Sequence, residues 1–437
     1  MLRVGCSKVD ITPDFPAFLR GYASRKGLSD GIEDRLSAGV MVLDQDGTRI
    51  LLLTVDSIGI GIRYCERIYK AIGERFGYGE DRIYLASSHT HFAPGFSGYC
   101  VIFPDGELPV GKYPPDDRYY DLFIGRLLSG IAEAEKNLED TEIEETEIPV
   151  PAVPFNRRTI KRSDGMVEMS WLYPDNPDDF EFQKVDPMMT VWRFKTHGVN
   201  KAILARFGCH PVTGGFDEYA ISADYPGHFQ TIVQREFGCP GFFLQGTAGD
   251  VVPMQRNGES RRDIAEILVR SIRLAERSFR KIESFKLAAK VVQVPAMLST
   301  TCPREEVETH LAKVFEDNSG DGFDVEKCIK GVYEYENAVA YPQDNTELPL
   351  RLMRLGDKVL VGMPFEVLTE IGLRLRKACP NAILTTITGG YEGYLPLAVD
   401  YPRGGYETTL GPYFQQGTGD RFLLAAIDAV KAFDKES

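Results

Sequence analysis

The sequence predicts an α/β protein built of mixed β-sheets flanked by helices, and three observations carry that expectation. In the first third of the chain, apolar runs of strand length alternate with patterns of helical period. Several strands run directly into short turns rich in Gly, Pro or His. The composition, 43% apolar and 26% charged, is that of an ordinary globular chain. At 437 residues a rule of thumb suggests about three units. Large α/β enzymes hold such a length in one, so residues 1–437 are expected to form a single domain, with a charged helical insertion at its periphery over about 301–340.

Strands expected at 39–43 and 50–56 flank Asp46-Gly47, a dipeptide that favours a tight hairpin. Ile68, Ile72 and Phe76 recur every fourth residue, the period of one helix face, and the run 82–86 completes a strand–helix–strand unit. A second helix is expected over 119–138, and the acidic stretch 139–147 reads as a solvated face or linker. Strands follow at 188–194, 202–207 and 241–245, the last entering the glycine-rich turn 246–250. An amphipathic helix is expected over about 261–280, strands near 350–362, a helix over 366–377 and a strand at 382–388. Residues 389–419 are rich in Gly, Pro and Tyr, which marks a loop carrying a site and not a flexible linker. A helix near Lys435 is expected to close the chain.

A formal net charge of −14 argues against a nucleic-acid or anionic-membrane surface, since both need a basic patch. No apolar run approaches the roughly 18 residues of a membrane helix, so no integral membrane segment is expected. The start, Met1-Leu2-Arg3-Val4-Gly5, lacks the basic and apolar regions of a secretory signal. Eight scattered cysteines without a CxxC pair fit reduced thiols and a cytoplasmic location. The expected partner is a small-molecule substrate; the oligomeric state is not legible.

Two of the six histidines lie in Ser88-His89-Thr90-His91, directly after the strand 82–86. Residues two apart on a strand project to one face, so His89 and His91 can serve one site, one as a metal ligand and the other as a proton carrier. The alternative is that they hydrogen-bond loop backbone. Sites in such sheets favour the carboxyl ends of strands, and His210, after 202–207, repeats the placement. Cys209 beside it points the other way, into the core.

Collected in order, these segments resemble the catalytic domain of the neutral ceramidase family nearly end to end. The similar segments are 4–13 with Arg20-Gly21-Tyr22; Ser88-His89-Thr90-His91-Phe92-Ala93-Pro94-Gly95; Phe207-Gly208-Cys209-His210-Pro211; Gly249-Asp250-Val251-Val252-Pro253; Pro364-Phe365-Glu366; and Gly393-Tyr394 with Tyr406-Glu407. The resemblance implies a zinc ion held by His89, His210, Glu366 and Tyr394. It also implies roles at the active site for Tyr406, twelve residues beyond Tyr394, and for Arg157 in Asn156-Arg157. Two imidazoles, a carboxylate and a phenol suit zinc and leave room for water or a substrate oxygen.

One departure qualifies the likeness. The family's nucleophilic serine corresponds to Val252, which has no hydroxyl. Ser87, Ser88, Ser222 and Thr247 are candidate substitutes that spacing does not separate. The family's C-terminal immunoglobulin-like domain is not expected after Lys435, and ceramide is a doubtful substrate. The expected activity is therefore zinc-dependent hydrolysis of an amide, ester or lactone by activated water. His91 is the expected general base and acid, Tyr406 and Arg157 the stabilisers of an oxyanion or holders of an anionic group, and Asp250 the orienter of a ligand histidine. Rival readings are an inactive metal-binding scaffold, a true ceramidase using another residue, and an isomerase working at the same metal.

Overall fold

The computed structural model describes residues 1–22, 25, 27–96, 117–283, 285–299, 341 and 343–436, with isolated positions between 306 and 334. Most of the insertion expected at 301–340 therefore lies outside the described residues.

Three sheets meet on one apolar core. The first has the order Ile83–Ser87, Thr48–Val55, Ser37–Gln45, Leu2–Asp10, Glu139–Asp140. The second runs Gly241–Gln245, Val199–Phe207, Met188–Thr196, Glu142–Pro149, Arg280–Lys281, and the third Ala289–Met297, Asn345–Leu355, Lys358–Gly362, Ala382–Thr385. Strand alternation gives each sheet two apolar faces. The inner faces bring Leu52, Tyr84, Trp192, Phe242, Met353 and Leu360 into one cluster. Helices cover the outer faces: Ile62–Phe76 and Asp117–Lys136 on the first sheet, Asp224–Phe237 and Ser260–Leu274 on the second, Thr369–Ala378 and Thr418–Lys435 on the third. This is the predicted class, mixed sheets flanked by helices.

Each sheet contains one parallel pair: Thr48–Val55 with Ile83–Ser87, Val199–Phe207 with Gly241–Gln245, and Lys358–Gly362 with Ala382–Thr385. Their carboxyl ends converge and are joined by backbone hydrogen bonds, Ser87 N–H to Ile387 O at 3.1 Å, Thr386 N–H to Gln245 O at 3.0 Å and Gly249 N–H to Val367 O at 3.0 Å. The point of convergence is where the histidines lie.

Three expectations are corrected. The acidic stretch is not a linker: Glu142–Pro149 is an inner strand of the second sheet, with Ile143 and Ile148 buried. Basic neighbours neutralise it, Lys195 bonding Glu144 at 3.0 Å, Lys281 bonding Glu142 at 2.7 Å, Lys358 bonding Glu147 at 2.9 Å and Arg280 pairing with Glu145. For the same reason the helix expected to reach 280 ends at Leu274, because Arg280–Lys281 adds as an edge strand against Glu144 and Glu145. The helix expected from 366 begins at Thr369, while Glu366–Val367 pairs in parallel with Tyr394–Leu395. The hairpin, the helix Asp117–Lys136 and the closing helix match their expected places within a few residues. The described cysteines, Cys6, Cys65, Cys209, Cys239 and Cys379, are free thiols, and Cys209 is fully buried in the core. Among the described residues no helix is long and apolar enough to cross a membrane.

Candidate metal centre

His89 follows the strand Ile83–Ser87 by two residues and adopts φ +70°, a left-handed conformation uncommon outside glycine. The backbone is held there by Ser88 N–H to Val55 O and His89 N–H to Ser57 O, both at 2.9 Å. Its Nδ1 donates to Ile58 O at 2.5 Å, so in the neutral ring Nε2 carries the free lone pair. His210 is built the same way from another sheet: its N–H bonds Val251 O at 2.9 Å and its Nδ1 donates to Ala248 O at 2.7 Å. Both Nε2 atoms therefore point inward as acceptors, 2.9 Å apart.

Glu366 completes a triangle. Its Oε2 lies 3.2 Å from His89 Nε2 and 3.3 Å from His210 Nε2 and has no hydrogen-bond donor, while Oε1 accepts from the Tyr391 hydroxyl at 2.8 Å. An ion pair across the triangle would need a protonated imidazole. Burial, then the neighbouring His89, lowers the His210 pKa to about 4, against the pull of Glu366. Burial raises Glu366, but His89 and His210 outweigh it and hold the carboxyl well below its usual range. In the neutral tautomer that each Nδ1–carbonyl bond selects, the triangle is three acceptors, one of them a carboxylate oxygen, and all three side chains are at most 3% exposed. Buried acceptors with no donor between them are costly, and a cation satisfies all three. Tetrahedral ligands about 2.0–2.1 Å from zinc stand about 3.3 Å apart, so these separations suit such an ion.

Tyr394 lies beside Glu366 across the parallel pair, and its hydroxyl accepts from Arg157 Nη2 at 3.1 Å. Burial and Glu366 push its phenol well above the ordinary value, Arg157 opposing them. Arg157 also bonds Glu407 Oε1 through Nε at 2.7 Å and Gly249 O through Nη2 at 2.9 Å, and Arg158 bonds the other oxygen of Glu407 at 3.1 Å. Its guanidinium lies 4.9 Å from the Trp171 ring centroid. Arg157 is thus paired with Glu407, which it shares with Arg158, and aimed at Tyr394. Tyr406, at the start of Tyr406–Thr409, stands edge-on to Tyr394 at 5.3 Å and to Trp171 at 5.8 Å.

His91 sits on the opposite flank, 8% exposed, with ring centroids 5.0 Å from His89 and 5.3 Å from His210. The ligand atoms of His89, His91 and His210 all lie within 4.8 Å of one another. Both ring nitrogens of His91 are buried without a partner. Burial, and then His89 and His210, hold its pKa well below the usual value, so the ring is neutral. Gly21, at φ +115°, covers it so closely that a Cβ there would lie 2.5 Å from the ring.

Asp250 does not orient a histidine. Its Oδ2 accepts from Asn156 Nδ2 at 2.7 Å and its Oδ1 from Thr369 N–H and Oγ1, both at 2.8 Å, while the two histidine Nδ1 atoms are taken by carbonyls. It ties the turn 246–250 to the start of Thr369–Ala378. Val252 lies in a small apolar cluster with Phe155 and Val212. Of the candidate hydroxyls, Ser87 bonds Ser57 at 3.0 Å, Ser222 bonds Asp34, and Ser88 and Thr247 have buried hydroxyls without a partner; none bonds a histidine of the cluster. Tyr391 and Trp171 were not singled out in the sequence, and Glu407 entered only as part of the segment Tyr406-Glu407, with no role; the density of aromatic residues in 389–419 pointed towards the first.

The family model described as neutral/alkaline non-lysosomal ceramidase, N-terminal, matches residues 2–253. Neutral ceramidase A of Dictyostelium discoideum is 26% identical over 274 residues, covering 58% of this chain and 36% of that protein. The Drosophila melanogaster neutral ceramidase is 32% identical over 268 residues, covering 57% and 36%. The Pseudomonas aeruginosa neutral ceramidase is 21% identical, covering 97% of this chain and 72% of that protein. The crystal structure of the Pseudomonas aeruginosa neutral ceramidase superposes with a TM-score of 0.76 at 18% identity, covering all of this chain and 75% of that one. The match to the Dictyostelium protein thus spans about a third of its length.

Proposed function

This chain belongs to the neutral/alkaline non-lysosomal ceramidase family, and on that premise we propose that it is a zinc-dependent hydrolase of an amide, ester or lactone in a small-molecule substrate. The observation that carries the reading is the triangle of His89 Nε2, His210 Nε2 and Glu366 Oε2, three inward acceptors 2.9–3.3 Å apart with no donor among them. These three, with the Tyr394 hydroxyl, are the residues that would hold the ion. When bound, zinc supplies a water whose pKa falls from about 15.7 towards 7, and polarises the scissile carbonyl.

The protein's own groups do the rest. Neutral His91 takes a proton from the attacking water and returns it to the leaving group, a role worth about 10²–10⁴ in rate. Arg157 fixes the Tyr394 hydroxyl at 3.1 Å, and Tyr406 stands behind Tyr394 where an oxyanion develops. Tyr391 holds Glu366 in its rotamer at 2.8 Å. Val252 offers no nucleophile and is packed among apolar side chains. That favours attack by water over a serine-borne intermediate, and a substrate other than ceramide.

The experiment is a metal assay joined to a turnover panel of amides, esters and lactones, with ceramide included. The expected result is close to one zinc per chain and turnover with incorporation of solvent oxygen, abolished by chelation and by His91→Ala. Bound metal with no turnover of any substrate would leave a metal-binding scaffold. Turnover without solvent oxygen in the product would point to isomerisation, and selective cleavage of ceramide would restore the family's named substrate.

A further inference from the structure

Arg25 is fully buried, yet its guanidinium is only half used. Nη1 donates to His91 O at 2.5 Å and to Arg20 O at 3.3 Å, whereas Nε and Nη2 have no hydrogen-bond partner among the described residues. Those two nitrogens form one edge of the planar fork, the edge that meets a carboxylate with two parallel bonds. The cation is held between the rings of Tyr22 and Phe92, each 4.9 Å from its centre. Glu218, the acidic side chain that bears on its charge, is taken by Arg261 Nη2 at 2.7 Å and Gly215 N–H at 3.1 Å. Among the described residues Arg25 makes no ion pair.

Its surroundings place it beside the metal centre. The Tyr22 ring lies 5.0 Å from the His91 ring, whose own two nitrogens are also buried and unpartnered. Four polar atoms on adjacent residues, two on Arg25 and two on His91, thus lack partners in a water-poor place where each orphan is costly. Arg157, the arginine the sequence singled out for an anionic group, already spends its Nε on Glu407, which it shares with Arg158, and its Nη2 on Tyr394 and Gly249 O.

We propose that Arg25 binds a carboxylate of the substrate, which makes the substrate class an amide bearing a free carboxylate near its scissile carbonyl, such as an N-acyl amino acid. This rests on the hydrolase reading for its location, but binding tests it separately from turnover. The full-length chain, treated with chelator so that no hydrolysis occurs, is titrated calorimetrically with N-benzoylglycine and with its carboxamide, N-benzoylglycinamide. The expected result is that the carboxylate binds at least about tenfold more tightly, the effect of charged hydrogen bonds in a buried site, and that Arg25→Gln reduces the preference to within about twofold. Arg25→Lys keeps the charge without the fork, is expected to lose most of the preference, and serves if the glutamine variant does not fold. Equal binding of the two ligands by the unaltered chain would overturn the proposal, as would a preference that survives both variants. Inorganic phosphate displacing N-benzoylglycine at equal concentration would reassign the site to a free oxyanion. Absence of turnover with tight, Arg25-dependent binding would defeat the hydrolase reading alone.

Discussion

The two flanks of the histidine triangle differ in how completely their polar groups are satisfied. On one flank Tyr391 bonds Glu366, and Arg157 links Tyr394, Gly249 O and Glu407, the last shared with Arg158, so that its Nε and Nη2 are aimed at named oxygens. On the other flank two nitrogens each of His91 and Arg25 are buried with no partner among the described residues. A network whose bonds are made fixes geometry, whereas buried polar groups left open are costly and call for a partner such as water, an ion or a ligand. On the proposed reading, the closed flank shapes the metal centre and the open flank receives substrate and protons.

That division can be broken experimentally. The largest effect is expected at the triangle itself: His210→Ala should remove bound zinc, measured by plasma emission, and lower kcat/KM by about 10³-fold or more, since water activation is lost with the ion. On the open flank, His91→Ala should keep the zinc and cost about 10²–10⁴ in kcat. Loss of zinc in that variant would place His91 among the ligands. On the closed flank, Glu407→Gln leaves Arg157 and Arg158 buried without their carboxylate, and denaturant unfolding should show a loss of about 3–5 kcal/mol. Tyr391→Phe removes one hydrogen bond to Glu366 and should weaken zinc affinity by about 10- to 100-fold in a chelator competition. The smallest effect is one of pH. Because burial lowers His210 to about 4, protons compete for its lone pair only near that value. In the metal-free chain, NMR of the His210 ring should show it neutral from pH 7.5 to about 5 and protonated only below, whereas an ordinary histidine would take its proton near 6.5.

How much of this was legible in the sequence follows from how local each signal is. The hairpin at Asp46-Gly47 and the periodic helix Ile62–Phe76 were readable because their cues lie within one segment. The strand Glu142–Pro149 was not, because its glutamates are acceptable only beside Arg193, Lys195, Arg280 and Lys358, which are distant in sequence. The helix Asp224–Phe237 and the strand Ala289–Met297 escaped notice altogether; the strand has a half-exposed start that blurs its alternation. Within the site, His89, His210 and Glu366 were found by resemblance and by their place after strands, and they do converge. The role given to Asp250 failed because a sequence cannot reveal that a backbone carbonyl already occupies the histidine nitrogen. Arg25 was passed over for the converse reason: its significance lies in a partner it lacks.

The two imidazoles are steered by the carbonyl oxygens of Ile58 and Ala248 and by no side chain. Any replacement at those positions leaves the oxygen in place, so half of what orients the ligands is invisible to a mutational scan and immune to single-codon change. On the proposed zinc reading, the aim of these two ligands in this chain therefore outlasts side-chain changes at Ile58 and Ala248, and only a shift in the backbone path or a change in the ligands themselves can redirect it.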